Sequence, residues 1–178
     1  MKKTWTALAL ALVLGAAIAR AASAQSSTPP SAPKPAAKPC ASPEHRQFDF
    51  WAGRWDVKEP DGTAAGTNEI RLLFDGCVLQ ETWVGTDGSA GTSLNVYDAS
   101  RKVWHQTWVD RRGGLLVLEG RFEGGKMVLS GTTVKKDGPV ENRITWQPLG
   151  GNVRQLWESS RDSGRTWSVV FDGTYVRR

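Results

Sequence analysis

Histidine is scarce in this chain of 178 residues: His45 and His105 are the only two. Two isolated histidines make no His-x-His metal pair, and any serine-histidine-carboxylate set drawn from them would be arbitrary, so neither a metal site nor a nucleophilic triad is legible. Cysteine is equally sparse. Cys40 and Cys77 stand alone, without the CxxC spacing that a dithiol redox centre needs. Basic residues form no stripe of the kind that grips nucleic acid; pairs such as Arg111-Arg112 and Lys135-Lys136 sit beside turn signals. Beyond residue 24, no stretch is apolar for the roughly 20 residues that a helical membrane span requires.

What the sequence does contain begins with an export signal. Lys2 and Lys3 are followed by an apolar run from Ala7 to Ile18 and by the small residues Ala22-Ser23-Ala24, so residues 1–24 read as a signal peptide cleaved before Gln25. The run is broken by Gly15 and followed closely by Arg20, and it is too short for a membrane anchor. Cleavage removes three basic residues and no acidic one, so the formal net charge falls from +5 to +2. The expected product is a periplasmic or extracellular protein with no membrane insertion after signal cleavage and no nucleic-acid partner. Its oligomeric state is not legible.

Residues 25–43 carry six of the nine prolines among Ala, Ser and Lys, a composition expected to form a disordered spacer. Residues 44–178 are left for a single domain with one hydrophobic core. In an oxidising compartment, Cys40 and Cys77 have only each other as intramolecular partner. The pairing would pin the spacer to the turn after Phe74-Asp75-Gly76; two free thiols or an intermolecular bond are the alternatives.

Glycine punctuates the domain at regular intervals: Asp61-Gly62, Asp75-Gly76, Asp87-Gly88, Gly113-Gly114, Gly124-Gly125, Asp137-Gly138 and Gly150-Gly151. These are tight-turn signals between short runs rich in Val, Thr, Trp and Leu. The spacing predicts ten strands over 53–59, 66–74, 78–85, 91–98, 103–110, 115–123, 126–135, 140–147, 153–160 and 166–176. An all-β fold follows: an antiparallel up-and-down barrel, which removes both sheet edges by closure, with a two-sheet sandwich as the alternative. The one helical candidate is a short turn over 42–51, with Ser42 placed to cap it and Pro43 at its first position.

The segment Phe48-Asp49-Phe50-Trp51-Ala52-Gly53-Arg54-Trp55 resembles the start of calycin barrels, in which a Gly-x-Trp strand closes the barrel bottom and a late arginine packs over the indole. That resemblance assigns the structural motif to Gly53 and Trp55 and the arginine to Arg177 or Arg178. Residues 44–178 are also similar, end to end, to a group of exported bacterial proteins carried as a domain of unknown function. Their FDFW-x-G-x-W, GC-x-L-x-E-x-W and W-x-Q-x-W-V-D patterns appear at 48–55, 76–83 and 104–110. The strand count is closer to fatty-acid-binding and nitrobindin-like barrels than to lipocalins. Nitrobindin-like proteins hold haem through a late histidine, and none follows His105 here, so the resemblance implies no cofactor. Ser160-Arg161-Asp162-Ser163-Gly164-Arg165-Thr166-Trp167 resembles the Asp-box hairpin of sialidase propellers. A single copy implies a stabilising turn built on Asp162, Gly164 and Trp167 rather than a propeller.

Alternation along 103–110 places Trp104, Gln106, Trp108 and Asp110 on one face, a mixed aromatic and polar surface suited to lining a cavity. The expected lining residues are Trp83, Trp104, Gln106, Trp108 and Arg143, and the expected function is noncatalytic binding of a small apolar or amphipathic molecule. Two alternatives remain: an enzyme with a barrel-mouth acid or base at His105 or Glu81, and an envelope interaction protein with a Trp-rich surface. Carboxylates at Glu81, Glu119 and Glu158 read as buried site groups or as partners of Arg121, Arg143 or Arg154 across neighbouring strands.

Overall fold

Glycine or a left-handed residue stands at most of the predicted reversals, and the chain turns there. The computed structural model describes residues 38–178; the expected signal peptide and the spacer up to residue 37 lie outside the described residues. Ten strands result: β1 Gly53–Lys58, β2 Ala64–Leu73, β3 Val78–Gly85, β4 Ala90–Asp98, β5 Val103–Asp110, β6 Leu115–Glu123, β7 Lys126–Lys135, β8 Gly138–Leu149, β9 Asn152–Ser160 and β10 Ser168–Arg177. Each pairs antiparallel with its neighbours in sequence, and β1 pairs with β10, so the sheet closes into a barrel without edges. The sandwich alternative is excluded.

Period-two alternation sorts the faces. In β8 the inward set is Val140, Asn142, Ile144 and Trp146, all buried, while the residues between them are more exposed. In β5 the inward set is Trp104, Gln106, Trp108 and Asp110, and in β3 it is Leu79, Glu81 and Trp83.

One end of the barrel is sealed by the residues that precede β1. The expected turn over 42–51 is two short 3-10 turns, Pro43–Arg46 and Asp49–Trp51. Ser42 does not cap the backbone; its hydroxyl donates to Glu44 Oε2 at 2.6 Å and lies 2.8 Å from His45 Nδ1. Phe48, between these turns, and Trp51, at the end of the second, drop into the barrel fully buried. Phe48 stacks on Trp51 with ring centroids 5.0 Å apart and meets the rings of Trp104 and Trp146 edge-on at 5.6 and 5.2 Å. Trp55 completes the seal and donates from Nε1 to the Trp51 carbonyl at 2.9 Å.

The arginine over that indole is Arg177, whose guanidinium carbon lies 4.4 Å from the Trp55 ring centroid and whose Nη2 donates to the Ala52 carbonyl at 3.3 Å. Arg178 turns elsewhere, to Asp56. Gly53 is required here on two counts. Its φ is +143°, and a Cβ at that position would sit 2.6 Å from Arg177 Nη1.

Cys40 and Cys77 are bonded, with an S–S distance of 2.09 Å, across 37 positions of sequence. The bridge fastens the chain before the plug to the turn between β2 and β3, where Arg46 also donates to the Gly76 carbonyl. Cross-linking a loop of this size restricts the unfolded chain, so Cys40→Ser with Cys77→Ser is expected to lower unfolding free energy by about 2–4 kcal/mol. Urea denaturation of the oxidised protein and the double variant checks this; coincident midpoints would contradict it.

Candidate functional site

Between the aromatic seal and the opposite rim, the barrel encloses a cavity of about 760 Å³. The rim is formed by the hairpins that follow β1, β3 and β5, with Glu59, Thr86, Asp87, Ser89, Asp110 and Arg112 around the opening. Hydrogen bonds organise it locally. Asp87 Oδ1 accepts the Ser89 N–H at 2.9 Å, and Asp110 Oδ1 accepts the N–H groups of Arg112 and Gly114 at 2.8 and 2.9 Å. The Ser89 hydroxyl and N–H hold the Asp87 carboxyl, and the Gly114 and Arg112 N–H groups hold that of Asp110, below the usual aspartate range.

The walls are aromatic. Trp83, Trp108, Trp146 and Trp157 face the cavity together with Phe171 and Tyr175, and Leu116, Ile144 and Val170 fill the gaps between them. Two inward glycines let indoles lie against the sheet: a Cβ on Gly91 would meet Trp108 Cζ2 at 2.3 Å, and one on Gly66 would meet Trp83 Cη2 at 2.7 Å. Trp83 is held further by its Nε1, which donates to Ser89 Oγ at 3.1 Å, and by edge contact with Phe171 at 5.9 Å.

A chain of polar side chains crosses the barrel wall at mid-depth. Gln106 Nε2 donates to Asn95 Oδ1 at 2.8 Å, Asn95 Nδ2 to Ser93 Oγ at 2.9 Å, and Ser93 Oγ to Glu81 Oε2 at 2.7 Å. On the other side of the carboxyl, Asn68 Nδ2 donates to Glu81 Oε1 at 2.7 Å and reaches the Tyr175 hydroxyl at 3.3 Å. Tyr175 in turn donates to Gln155 Oε1. The seven residues come from six strands, and all are nine-tenths buried or more. Such burial is tolerable because most of their polar atoms are paired. Asn68 Oδ1 is an exception, being buried without a partner.

Glu81 is the chemical centre of this belt. Burial pushes its carboxyl upward, an effect that outweighs the opposing hydrogen bonds from Ser93 and Asn68. Burial likewise pushes the Tyr175 hydroxyl well up, and the nearby Glu81 adds to it. Both groups line the cavity, as do Gln106 and Gln155, whose Oε1 and Nε2 respectively make no hydrogen bond to the described residues. The arrangement can grip an apolar body between indoles and fix one polar group against a carboxyl flanked by two amides. Among the described residues, no group of three His, Cys, Asp or Glu is placed to hold a metal.

Of the five lining residues expected from sequence, the structure brings Trp83, Gln106 and Trp108 together on the cavity. Trp104 shares their face but lies deeper, in the seal, where its Nε1 donates to Gln47 Oε1 at 3.2 Å. Arg143 lies on the outer wall. It is the odd position between inward Asn142 and Ile144, bonds Glu158 at 3.0 Å, and lies 4.1 Å over the Trp167 ring.

His105 also points outward, between Glu119 Oε1 at 3.1 Å and Thr107 Oγ1 at 2.8 Å, and does not line the cavity. Of the carboxylates expected to pair with Arg121, Arg143 or Arg154, Glu158 pairs with Arg143 and Glu119 with Arg101, whereas Glu81 is buried and receives only Asn68 and Ser93; Arg154 pairs with Asp172. The Asp-box segment is a hairpin clasp. Asp162 Oδ1 accepts the N–H groups of Arg165 and Thr166 at 3.0 and 2.9 Å, Trp167 Nε1 donates to the Gly164 carbonyl at 3.0 Å, and Gly164 has φ +80°.

The site residues missed from sequence are Asn68, Ser93, Asn95, Gln155 and Tyr175. A usable signal existed, since each occupies the inward phase of its strand, two positions from a buried neighbour or from another member of the belt. No protein-family model matches the chain, and no curated protein sequence matches it.

Proposed function

We propose that this is an exported, noncatalytic binding protein of calycin type that holds one small amphipathic molecule inside its barrel. The carrying observation is the cavity: about 760 Å³, walled by indoles and furnished with a few convergent polar groups. Ligand sites of drug-sized molecules have this volume, roughly 300–1,000 Å³, and this composition. The Gly53-x-Trp55 seal under Arg177 supports the calycin reading. The disulfide is of a kind that persists in oxidising compartments, which supports export.

The Trp-rich interaction surface loses its basis, because no tryptophan is among the exposed large hydrophobic residues of the described chain. Those that are exposed are Leu and Val, with Phe74 on the turn beside the disulfide. Of the two acid-base candidates, only Glu81 faces the cavity, and it is the residue on which an enzymatic reading would rest.

Native mass spectrometry of the protein purified from its own envelope checks the proposal. The expected result is a single adduct of drug-like mass that is released by organic solvent. Ligand-free protein, together with no uptake of any small amphipathic molecule offered to it, would overturn the reading.

A further inference from the structure

Glu81 is a buried carboxyl without a countercharge. Among the described residues its oxygens receive only the neutral donors Asn68 and Ser93, and no Lys, Arg or His pairs with it. Buried charges in proteins are ordinarily paired, because the cost of desolvating an isolated one is large. The carboxyl lines the same cavity as four indoles, and indole faces attract cations. Charge around the opening has the same sign. Among the charged residues lining it, Glu59, Asp87 and Asp110 stand against Arg112, while Arg111 on the Gly88 carbonyl and Lys135 near Asp110 lie further out on the rim.

We infer that the cavity takes an organic cation, an amphipathic amine or quaternary ammonium, with its charged group at Glu81 and its apolar body between Trp83, Trp108 and Trp157. The inference rests on the binding function proposed above and specifies its ligand class. An anionic ligand would meet three carboxylates among the rim residues that line the cavity and the Glu81 carboxyl at mid-depth, with Arg112 the cation lining the same cavity. A neutral ligand would leave the carboxyl uncompensated or protonated.

Protonation gives the assignment a sign. Burial raises the Glu81 carboxyl, so ionised Glu81 becomes available only as pH climbs past the usual glutamate range. The groups facing it are Tyr175 from β10, Asn68 from β2, Ser93 from β4, Gln106 from β5 and Gln155 from β9. Only Tyr175 among them titrates, and it is pushed far upward. At the rim, Asp87 and Asp110 are held low by their hydrogen bonds, and Glu59 and Arg112 are the other charged residues lining the cavity there. A cation of fixed charge should therefore bind more tightly at pH 8 than at pH 5.

The test uses two probes of equal shape, 1-naphthylmethyl(trimethyl)ammonium and its uncharged carbon isostere 1-neopentylnaphthalene, titrated against the intrinsic indole fluorescence of the mature protein. The expected result is at least tenfold tighter binding of the cation at pH 8, a preference that shrinks toward pH 5. In Glu81→Gln, which keeps an acceptor for Asn68, the ratio of the two affinities should fall toward one, with circular dichroism confirming the fold. Equal binding of both probes, tighter binding of the isostere, or a preference that survives in Glu81→Gln overturns the cation assignment while leaving a ligand-binding barrel in place. If neither probe binds, the cation assignment falls, while the binding function is decided separately by the mass spectrometry of the native protein.

Discussion

Replacing Trp55 with alanine is expected to lower the unfolding free energy by about 3–5 kcal/mol, the usual cost of deleting a fully buried large aromatic side chain. Three connections go with it. The indole fills the sealed end beside Tyr175, its Nε1 satisfies the Trp51 carbonyl, and its face carries Arg177. Against the roughly 5–15 kcal/mol by which domains are stable, such a loss leaves little reserve. Arg177→Ala, which keeps the buried indole and removes only the stacked guanidinium, should cost much less. Urea titrations of both variants decide the matter. Equal losses would mean that the arginine, rather than indole burial, holds the seal.

Glu81→Gln is expected to raise stability at neutral pH and to leave it little changed near pH 4. The sign follows from linkage: burial favours the protonated carboxyl in the folded state, so the folded protein loses stability as pH rises from the unfolded glutamate value, about 4.3, through the raised folded value. An uncompensated buried ion costs on the order of several kcal/mol, and the amide removes that cost while still offering Asn68 an acceptor.

The opposite limb belongs to the surface carboxylates. Arg101 and His105 hold Glu119 down at about 2, and the Thr166 hydroxyl and N–H with Ser160 hold Asp162 at about 2. Their contribution is complete above roughly pH 4 and disappears as pH falls through about 2. Thermal melts of both proteins between pH 2 and 8 should therefore agree on the acid limb and separate on the neutral one. Parallel curves throughout would show that Glu81 is not destabilised by its surroundings.

Strand positions were legible because tight turns are local: glycine or Asp-Gly pairs punctuate the chain, and what lies between can only be extended. The faces of β5 were legible for the same reason, since alternation is a property of adjacent residues. What alternation does not state is which face looks inward. Gln106 and Trp108 lie on the inward phase of β5, whereas Arg143 lies on the outward phase of β8, whose apolar phase is marked by Val140, Ile144 and Trp146. The depth of Trp104 depends on Phe48 and Trp51 entering beneath it, a contact made across the fold. The polar belt is a still stronger case. Asn68 and Tyr175 each show the inward phase of their own strand, but they are separated by 107 positions and meet only because the barrel closes, so no local pattern announces their contact.

The order of strands around the barrel has a kinetic consequence. Every pairing but one joins consecutive strands, and such hairpins form with little loop-closure entropy. The exception is the seam between β1 and β10, where Arg178 reaches Asp56 across 122 positions. Its formation must overcome the largest entropic barrier in the domain, which places zipping of the seam after the nine hairpins. The Trp55–Arg177 stack straddles that seam. It acts as a latch on the late step, and weakening it should hasten unfolding more than it slows refolding.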